Sequence, residues 1–473
     1  MRRPGLRAWP TAIVRRGTYA TLPVAADKNE PTAKALQSLH SPGGDEFWRK
    51  VPRWADVSPE KFISQRWSSK ETVNGEAQLH KFLKEVVPDE IPLDRAGSKV
   101  QSKDAFLKDV LEGVRAATMA VRITPYLLSR VNWQDPRNDP IFRQFVVLKS
   151  NLLPDPPCLQ LDSLREHDDE AAPGFIHRYH DKGLFLTTSV CPTYCAGCTR
   201  AHGVGGDTCA LTKKQNFLNP SNKRWDKIFE YIEATPQLQD IVLSGGDTWA
   251  LTPDMIQRLG ERLISIPHIK RFRYASKGMC VSPGRMLDPN DGWIDALVDV
   301  THKARKANKA VALHTHFNHP DEISWITRAA ARRLFEAHVT VRCQTVLING
   351  VNNNAETLSR LIRSLADMHI QPYYVYQFDM VPNSEHLRTP LQTILDLEEQ
   401  VRGSIAGFMM PQFVVDLPGG GGKRLSNSFR EYNRETGVST FVAPAVTEGS
   451  SRGAGKPKVF RYYDPMHRHQ GQL

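Results

Sequence analysis

The clearest pattern in the chain begins near His177, where short apolar, β-prone runs start to alternate with amphipathic helical ones. Gly183–Val190 reads as a strand, Lys223–Ala234 as a helix, Asp240–Leu243 as a strand and Thr252–Ser265 as a helix. A strand at Lys270–Ala275, a helix near Trp293–Lys306 and a strand at Ala310–His314 follow. Two more helix–strand pairs are predicted, Glu322–Ala337 with Val339–Leu347 and Ala355–His369 with Pro372–Phe378. Helical periodicity marks the former type, and short continuous apolar runs mark strands buried on both faces. Six strands separated by helices predict parallel βα units with right-handed crossovers. A later strand, Gln412–Val415, precedes four consecutive glycines.

Upstream the pattern is different. Residues 27–176 are rich in Trp, Lys and Glu and read as helices with irregular connections, Ser102–Ala117 among them. The Pro- and acid-rich stretch from Leu152 to Gly174 reads as a loop or domain joint. The predicted organisation is a leader at 1–26, a helical domain at 27–176, a partial parallel (βα)6-type barrel at 177–395 and a C-terminal segment at 396–473. The fold class is therefore α/β.

Composition narrows this picture in three ways. No apolar stretch approaches the roughly 18–20 residues that span a bilayer, so no transmembrane helix and no membrane partner are expected. The net charge of +11 includes five arginines in residues 1–26, which have no acid; 11 − 5 leaves +6 for the rest. No long basic cluster follows, so no nucleic-acid partner is expected. An Arg-rich, acid-free start resembles an organellar transit peptide, which predicts the mitochondrial matrix; a disordered basic tail on a cytoplasmic protein is the alternative. Finally, three of the seven cysteines lie within eight residues and the others are scattered. That is not a disulfide framework but fits one thiolate site in a reducing compartment.

The polar residues cluster just after the predicted strands: Cys191 to Cys198, Ser244 to Asp247, Ser276, His314 and His316, Asn349 and Asp379. In βα barrels the active site is assembled from these strand ends, although βα loops are polar in any case. The densest chemistry is Cys191-Pro-Thr-Tyr-Cys195-Ala-Gly-Cys198, a C-x3-C-x2-C loop. A structural zinc site would want a fourth ligand, normally from a second Cys pair, and there is none in the chain. Three thiolates without a fourth suit a 4Fe–4S cubane whose open iron can take the amino and carboxylate groups of S-adenosylmethionine. Zinc, or thiols near one another by chance, is the other reading. The run Asp416-Leu-Pro-Gly419-Gly-Gly-Gly-Lys423 lacks the Gly and Ser/Thr positions of a phosphate-binding P-loop. It is either a flexible linker or a loop whose lysine can reach an aldehyde.

The C-x3-C-x2-C spacing is the signature of the radical S-adenosylmethionine superfamily. Between Ile123 and Lys423 the chain also resembles the lysine 2,3-aminomutase family, and a eukaryotic member is expected. The resemblance rests on Ile123-Thr-Pro-Tyr126, His177-Arg178-Tyr179, Cys198-Thr-Arg200, Leu243-Ser-Gly-Gly-Asp247, His314-Thr-His-Phe-Asn-His-Pro320, Gln344 to Asn352, Pro372-Tyr-Tyr-Val-Tyr376 and the glycine run ending at Lys423. It implies interconversion of L-lysine and L-β-lysine by way of a 5′-deoxyadenosyl radical and a pyridoxal phosphate aldimine. By the same resemblance Lys423 would carry pyridoxal phosphate and Arg178, Tyr179 and Lys182 would lie near its phosphate. Ser244, Gly245, Gly246, Asp247, His316 and Gln344 would contact S-adenosylmethionine. Arg200 would pair with the substrate carboxylate, and Asp379 and Asp416 with its distant ammonium. Cys191, Cys195 and Cys198 would hold the cluster. The implied partners are an amino-acid substrate, an electron donor and further copies of the chain in a homo-oligomer. The chain departs from the family at Lys182, where an arginine is usual, at Ala201-His202-Gly203, and at Asn349 and Asn353; no cysteine follows Cys343. A related aminomutase acting on another amino acid, and a non-catalytic iron–sulfur or pyridoxal-binding protein, are the two other readings.

Overall fold

The computed structural model describes residues 45–93, 97–213, 220–443 and 458–465. The predicted leader lies outside the described residues. Among these residues no helix is long and apolar enough to cross a membrane.

Ten strands form one sheet: β1 (Glu170–Ala172), β2 (Phe175–Tyr179), β3 (Lys182–Thr188), β4 (Asp240–Gly245), β5 (Arg271–Ala275), β6 (Ala310–His316), β7 (Thr340–Val346), β8 (Gln371–Tyr376), β9 (Gln412–Leu417) and β10 (Gly422–Leu425). They lie side by side in chain order. Every pair from β3 to β9 is parallel, and the strands at both ends, β1, β2 and β10, are antiparallel to their neighbours. Helices connect the parallel strands: α1 (Asn222–Glu233), α2 (Pro253–Ser265), α3 (Trp293–Lys306), α4 (Trp325–Glu336), α5 (Ala355–Asp367) and α6 (Leu391–Val401). Several start where a small polar residue satisfies a free N–H of the first turn. Ser221 accepts from Arg224 N at 3.4 Å, Thr252 from Met255 N at 3.3 Å, and Asn354 from Thr357 N at 2.9 Å.

The parallel strands fall where the apolar runs lie, with ends differing by a few residues. Two features were not expected. The sheet begins at Glu170, inside the stretch read as a joint, because β1 and β2 fold back on β3 as an antiparallel extension. Helix α6 carries the chain from β8 to β9, so Gln412–Leu417 joins the sheet as a seventh parallel strand.

The segment before the sheet packs into the same core. Short helices at Pro59–Ile63, Gln65–Glu71, Glu76–Val86 and Lys103–Ala116 supply Phe62, Phe82, Leu83 and Phe106. These join one continuous apolar cluster with Trp225, Leu243, Tyr274 and Leu313 of the βα units. Burying several aromatics at 150–250 Å² each makes such a cluster the main adhesive between the two parts. Tyr126 fastens the junction, its hydroxyl donating to Glu322 O at 2.8 Å just before α4. A three-stranded antiparallel sheet, β11 (Glu431–Asn433), β12 (Val438–Val442) and β13 (Val459–Tyr463), closes the C-terminal side.

Although β2 and β10 lie near opposite ends of the strand order, they meet. The Tyr179 hydroxyl is close to the Lys423 backbone and feels the Lys423 charge. The two ends of the sheet therefore approach each other at this point.

Candidate active site

The thiol loop follows directly on β3 and is pinned from the N-terminal part. Tyr194 N donates to Arg122 O at 3.0 Å and Ala196 N to Gln144 O at 2.9 Å. Gly197 faces the Phe378 ring, which any β-carbon there would strike. The three thiols are half-buried and share one environment. Burial pushes all of them up, Cys195 to about 11 and Cys191 well above its ordinary value, and Cys191 is raised further by Asp247 and by its two companions. As they stand these are protonated thiols, and all seven cysteines are free. Among the described residues no three His, Cys, Asp or Glu side chains are gathered closely enough to hold a metal ion unaided.

Ser244 to Asp247 ends β4 beside that loop. The glycines here serve a close backbone approach to β3. Gly246 N donates to Thr188 O at 2.5 Å and Asp247 N to Val190 O at 2.9 Å. A β-carbon on Gly246 would run into Val190 O, and Gly245 has φ +120°. Asp247 gives one oxygen to Trp249 N and the other to Lys277 N, both at 2.8 Å, and so ties the ends of β4 and β5 together. Burial raises its carboxyl to about 6.

His316 and Gln344 stand opposite each other at the ends of β6 and β7. Burial, with help from the Lys277 ammonium, holds His316 well below its ordinary value, so the ring is neutral. Its Nε2 lies 2.9 Å from Asn318 Oδ1. Lys277, which sequence reasoning passed over, is close enough to Cys195 to lower that thiol and lies 5.8 Å from the Phe145 ring centre.

The other half of the site is built from ion pairs. Asp416 on β9 faces Lys423 on β10 across an antiparallel register. Lys423 Nζ donates to Asp416 Oδ2 at 2.6 Å and lies 5.7 Å from the Tyr376 ring centre. The lysine side chain is 39% exposed while the aspartate is 7% exposed, so the pair is buried mainly on the Asp416 side. Burial opposes the charge on Lys423, but Asp416 more than offsets that and holds it well above the ordinary lysine value. Asp379, just beyond β8, sits beside this pair. Burial first, and then the Asp416 charge, push it up to about 8 against the pull of Lys423. Asp379 Oδ1 and Asp416 Oδ1 are buried with no hydrogen-bond partner among the described residues.

Two arginines complete this half. Arg178 on β2 donates through Nε to Asp169 Oδ2 at 2.6 Å, and through Nη2 to the carbonyls of Leu164 at 2.5 Å and Arg165 at 3.2 Å. Arg200, two residues past Cys198, makes a two-pronged pair with Glu166, Nε to Oε2 and Nη2 to Oε1, each 2.7 Å. Burial pushes the Glu166 carboxyl up, but the Arg200 guanidinium brings it below the ordinary value. Beside Arg178, Tyr179 pairs with Lys182 across the β2–β3 turn, and the Lys182 ammonium lies 4.4 Å from the Tyr179 ring centre.

The structure thus brings Arg178, Tyr179, Arg200, Asp379, Asp416 and Lys423 into one charged region, next to the thiols, His316 and Gln344. Sequence reasoning missed Glu166, Asp169, Lys277 and Tyr376. The first two sit in a segment without periodicity, and only its density of acids close to His177-Arg178-Tyr179 hinted at a role.

Comparison with known proteins adds the family. No family model matches the chain. L-lysine 2,3-aminomutase from Clostridium subterminale is 33% identical over 377 residues, 79% of this chain and 80% of that protein. The same enzyme from Acetoanaerobium sticklandii is 37% identical over 314 residues, 66% of this chain and 70% of its own. Glutamate 2,3-aminomutase from Clostridioides difficile is 28% identical over 301 residues, 64% of this chain and 66% of that protein. Among solved structures, Streptococcus suis SuiB bound to S-adenosylmethionine aligns over 51% of this chain and 52% of its own, at 13% identity and a TM-score of 0.36, too loose a likeness to argue from. Identity above 30% across most of two relatives is decisive: the chain belongs to the lysine 2,3-aminomutase family.

Proposed function

We propose that the protein interconverts L-lysine and L-β-lysine, with a 4Fe–4S cluster, S-adenosylmethionine and pyridoxal phosphate as cofactors. The observation that carries this reading is the pair of unpartnered buried oxygens on Asp379 and Asp416. Buried carboxyl oxygens without partners are costly, and a ligand ammonium would satisfy them. A carboxylate at the far end of a γ-substituted acid such as glutamate would meet like charge there instead. Arg200, in the same field, supplies the complementary cation for an α-carboxylate, so the site suits a molecule that is anionic at one end and cationic at the other.

The residues present fit the cofactors. Cys191, Cys195 and Cys198 would hold the cluster, since iron stabilises as thiolates the three sulfurs that burial otherwise keeps protonated. His316, Gln344 and the Ser244–Asp247 turn line the same half, where S-adenosylmethionine would sit. Lys423 would carry pyridoxal phosphate on its amine, with Arg178, Tyr179 and Lys182 toward the phosphate. When bound, these groups supply one-electron bond cleavage and an electron-delocalising ring, while the protein supplies orientation and a dry site. Asp416, paired with Lys423 at 2.6 Å, would be the second carboxylate offered to the substrate ammonium. An electron donor and a homo-oligomeric assembly belong to the same proposal.

The test is anaerobic turnover of protein reconstituted with iron, sulfide and pyridoxal phosphate, given S-adenosylmethionine, a strong reductant and isotopically labelled L-lysine. Mass-resolved β-lysine is the expected product. Deoxyadenosine without β-lysine would mean another amino acid is the substrate; neither product from a protein with a full cluster would end the catalytic reading.

A further inference from the structure

The two arginines that this reading assigns to anions share an unusual support. Glu166 and Asp169 are three residues apart on one 3₁₀ turn, Glu166–Asp169, and each takes one of the arginines. In both cases the acid holds Nε, and Nη2 is also engaged, by Glu166 itself for Arg200 and by backbone carbonyls for Arg178. In both cases Nη1 has no hydrogen-bond partner among the described residues. A guanidinium held along its Nε–Nη2 edge keeps one orientation and leaves its remaining N–H groups for a ligand. The turn is itself fixed. Asp162 accepts from Glu166 N at 2.9 Å and from His167 N at 3.2 Å, and Ser163 O accepts from Gly419 N at 2.7 Å in the loop that leads to Lys423.

We propose that this turn is a positioning element in which Glu166 aims Arg200 at the substrate carboxylate and Asp169 aims Arg178 at the cofactor phosphate. The inference rests on the functional reading above. Through the Ser163–Gly419 bond the same segment sets both anion positions relative to the lysine that would hold the cofactor. The acids are positioning residues rather than catalytic ones, since each acts through its arginine.

The proposal separates the two acids, and equilibrium binding without reductant or S-adenosylmethionine reads the separation. Pyridoxal phosphate is titrated by absorbance, and then lysine, or 1,5-diaminopentane as lysine without its carboxylate, is added to the loaded protein. E166D keeps the charge and the turn but withdraws the carboxylate by one methylene. It should weaken lysine binding about tenfold while pyridoxal phosphate and diaminopentane stay within about twofold. D169N should show the opposite, weakening pyridoxal phosphate about tenfold and lysine on the loaded protein within about twofold. Thermal melts establish that both variants are folded.

Both affinities falling together in each variant would reduce the turn to scaffold and overturn the proposal, as would no change in either. E166Q binding lysine more tightly than the wild type would also overturn it, because Glu166 would then compete with the substrate for Arg200. Wild-type protein that takes up pyridoxal phosphate but no lysine would sink the lysine reading and the Glu166 half with it. Wild-type binding of both ligands, with unsplit variants, would sink this inference alone.

Discussion

The thiol half of the site and the carboxylate half handle buried charge in opposite ways. Around Cys191, Cys195, Cys198 and His316, burial drives every one of these groups toward its neutral form. Around Lys423, Arg178 and Arg200, each cation is met by an acid at 2.6–2.7 Å. Burying a charge is tolerated only with a partner, so the second half has brought its own partners while the first depends on a charge supplied from outside. On the proposed function the contrast separates the halves: the thiols would need iron to become charged, whereas the arginines are already held in place by Asp169 and Glu166.

The largest effect should therefore come from the half without internal compensation. Cys195→Ala should abolish stoichiometric iron binding and cut lysine turnover more than about a thousandfold, because no electron can then reach the cofactor. The contrast predicts that pyridoxal phosphate uptake by this variant stays normal. Iron analysis and the absorbance titration together check it, and joint loss of iron and pyridoxal phosphate would mean that the two halves are not independent.

In the carboxylate half, Asp379→Asn should raise the lysine KM by roughly tenfold to a hundredfold, the worth of a charge-assisted hydrogen bond at a buried site. Turnover of a substrate lacking the distant ammonium should be indifferent to it. Unchanged lysine KM would remove Asp379 from substrate recognition.

The pH dependence sharpens the same point. With its carboxyl raised to about 8, Asp379 is protonated in the free site at pH 7. A bound ammonium favours the ionised form, so lysine binding expels that proton. Lysine affinity should accordingly rise with pH, by up to about tenfold per unit, and level off above about 8. Asp379→Asn should flatten the profile. Calorimetry at pH 7 in buffers of different ionisation enthalpy measures the released proton directly.

Legibility in the sequence divides along similar lines. The parallel strands could be read because strands covered on both faces are continuous apolar runs, and their helices announce themselves by caps such as Ser221, Thr252 and Asn354. The thiol loop was legible because its chemistry is local: three cysteines within eight residues need no fold to be noticed. The ion pairs are another matter. Glu166 meets Arg200 34 positions later, and Lys423 meets Tyr179 from the opposite end of the sheet. No periodicity links such residues, so the acidic turn was read as a joint. Helix α6 was missed for a different reason: Pro390 precedes it without a side-chain cap, leaving no start signal.

The smallest effect worth measuring tests whether the C-terminal sheet takes part in the carboxylate half. Tyr462 on β13 is buried, and its hydroxyl donates to Phe378 O at 3.0 Å, the carbonyl immediately before Asp379. It also accepts from Gln377 Nε2 at 3.2 Å. Arg388, paired with Glu385 at 2.6 Å, lies 5.4 Å from the Tyr462 ring centre and donates to Tyr463 O, so the strand is firmly held. Tyr462→Phe removes one hydrogen bond worth about 1 kcal/mol and leaves the packing in place. If that bond fixes the backbone that aims Asp379, lysine KM should rise about threefold with kcat unchanged, and the pH midpoint should move with it. In the Asp379→Asn background the same change should then leave KM where it is, because the group being aimed no longer carries a charge. A threefold loss that persists in that background would assign Tyr462 to general stability, since contributions from independent sites add.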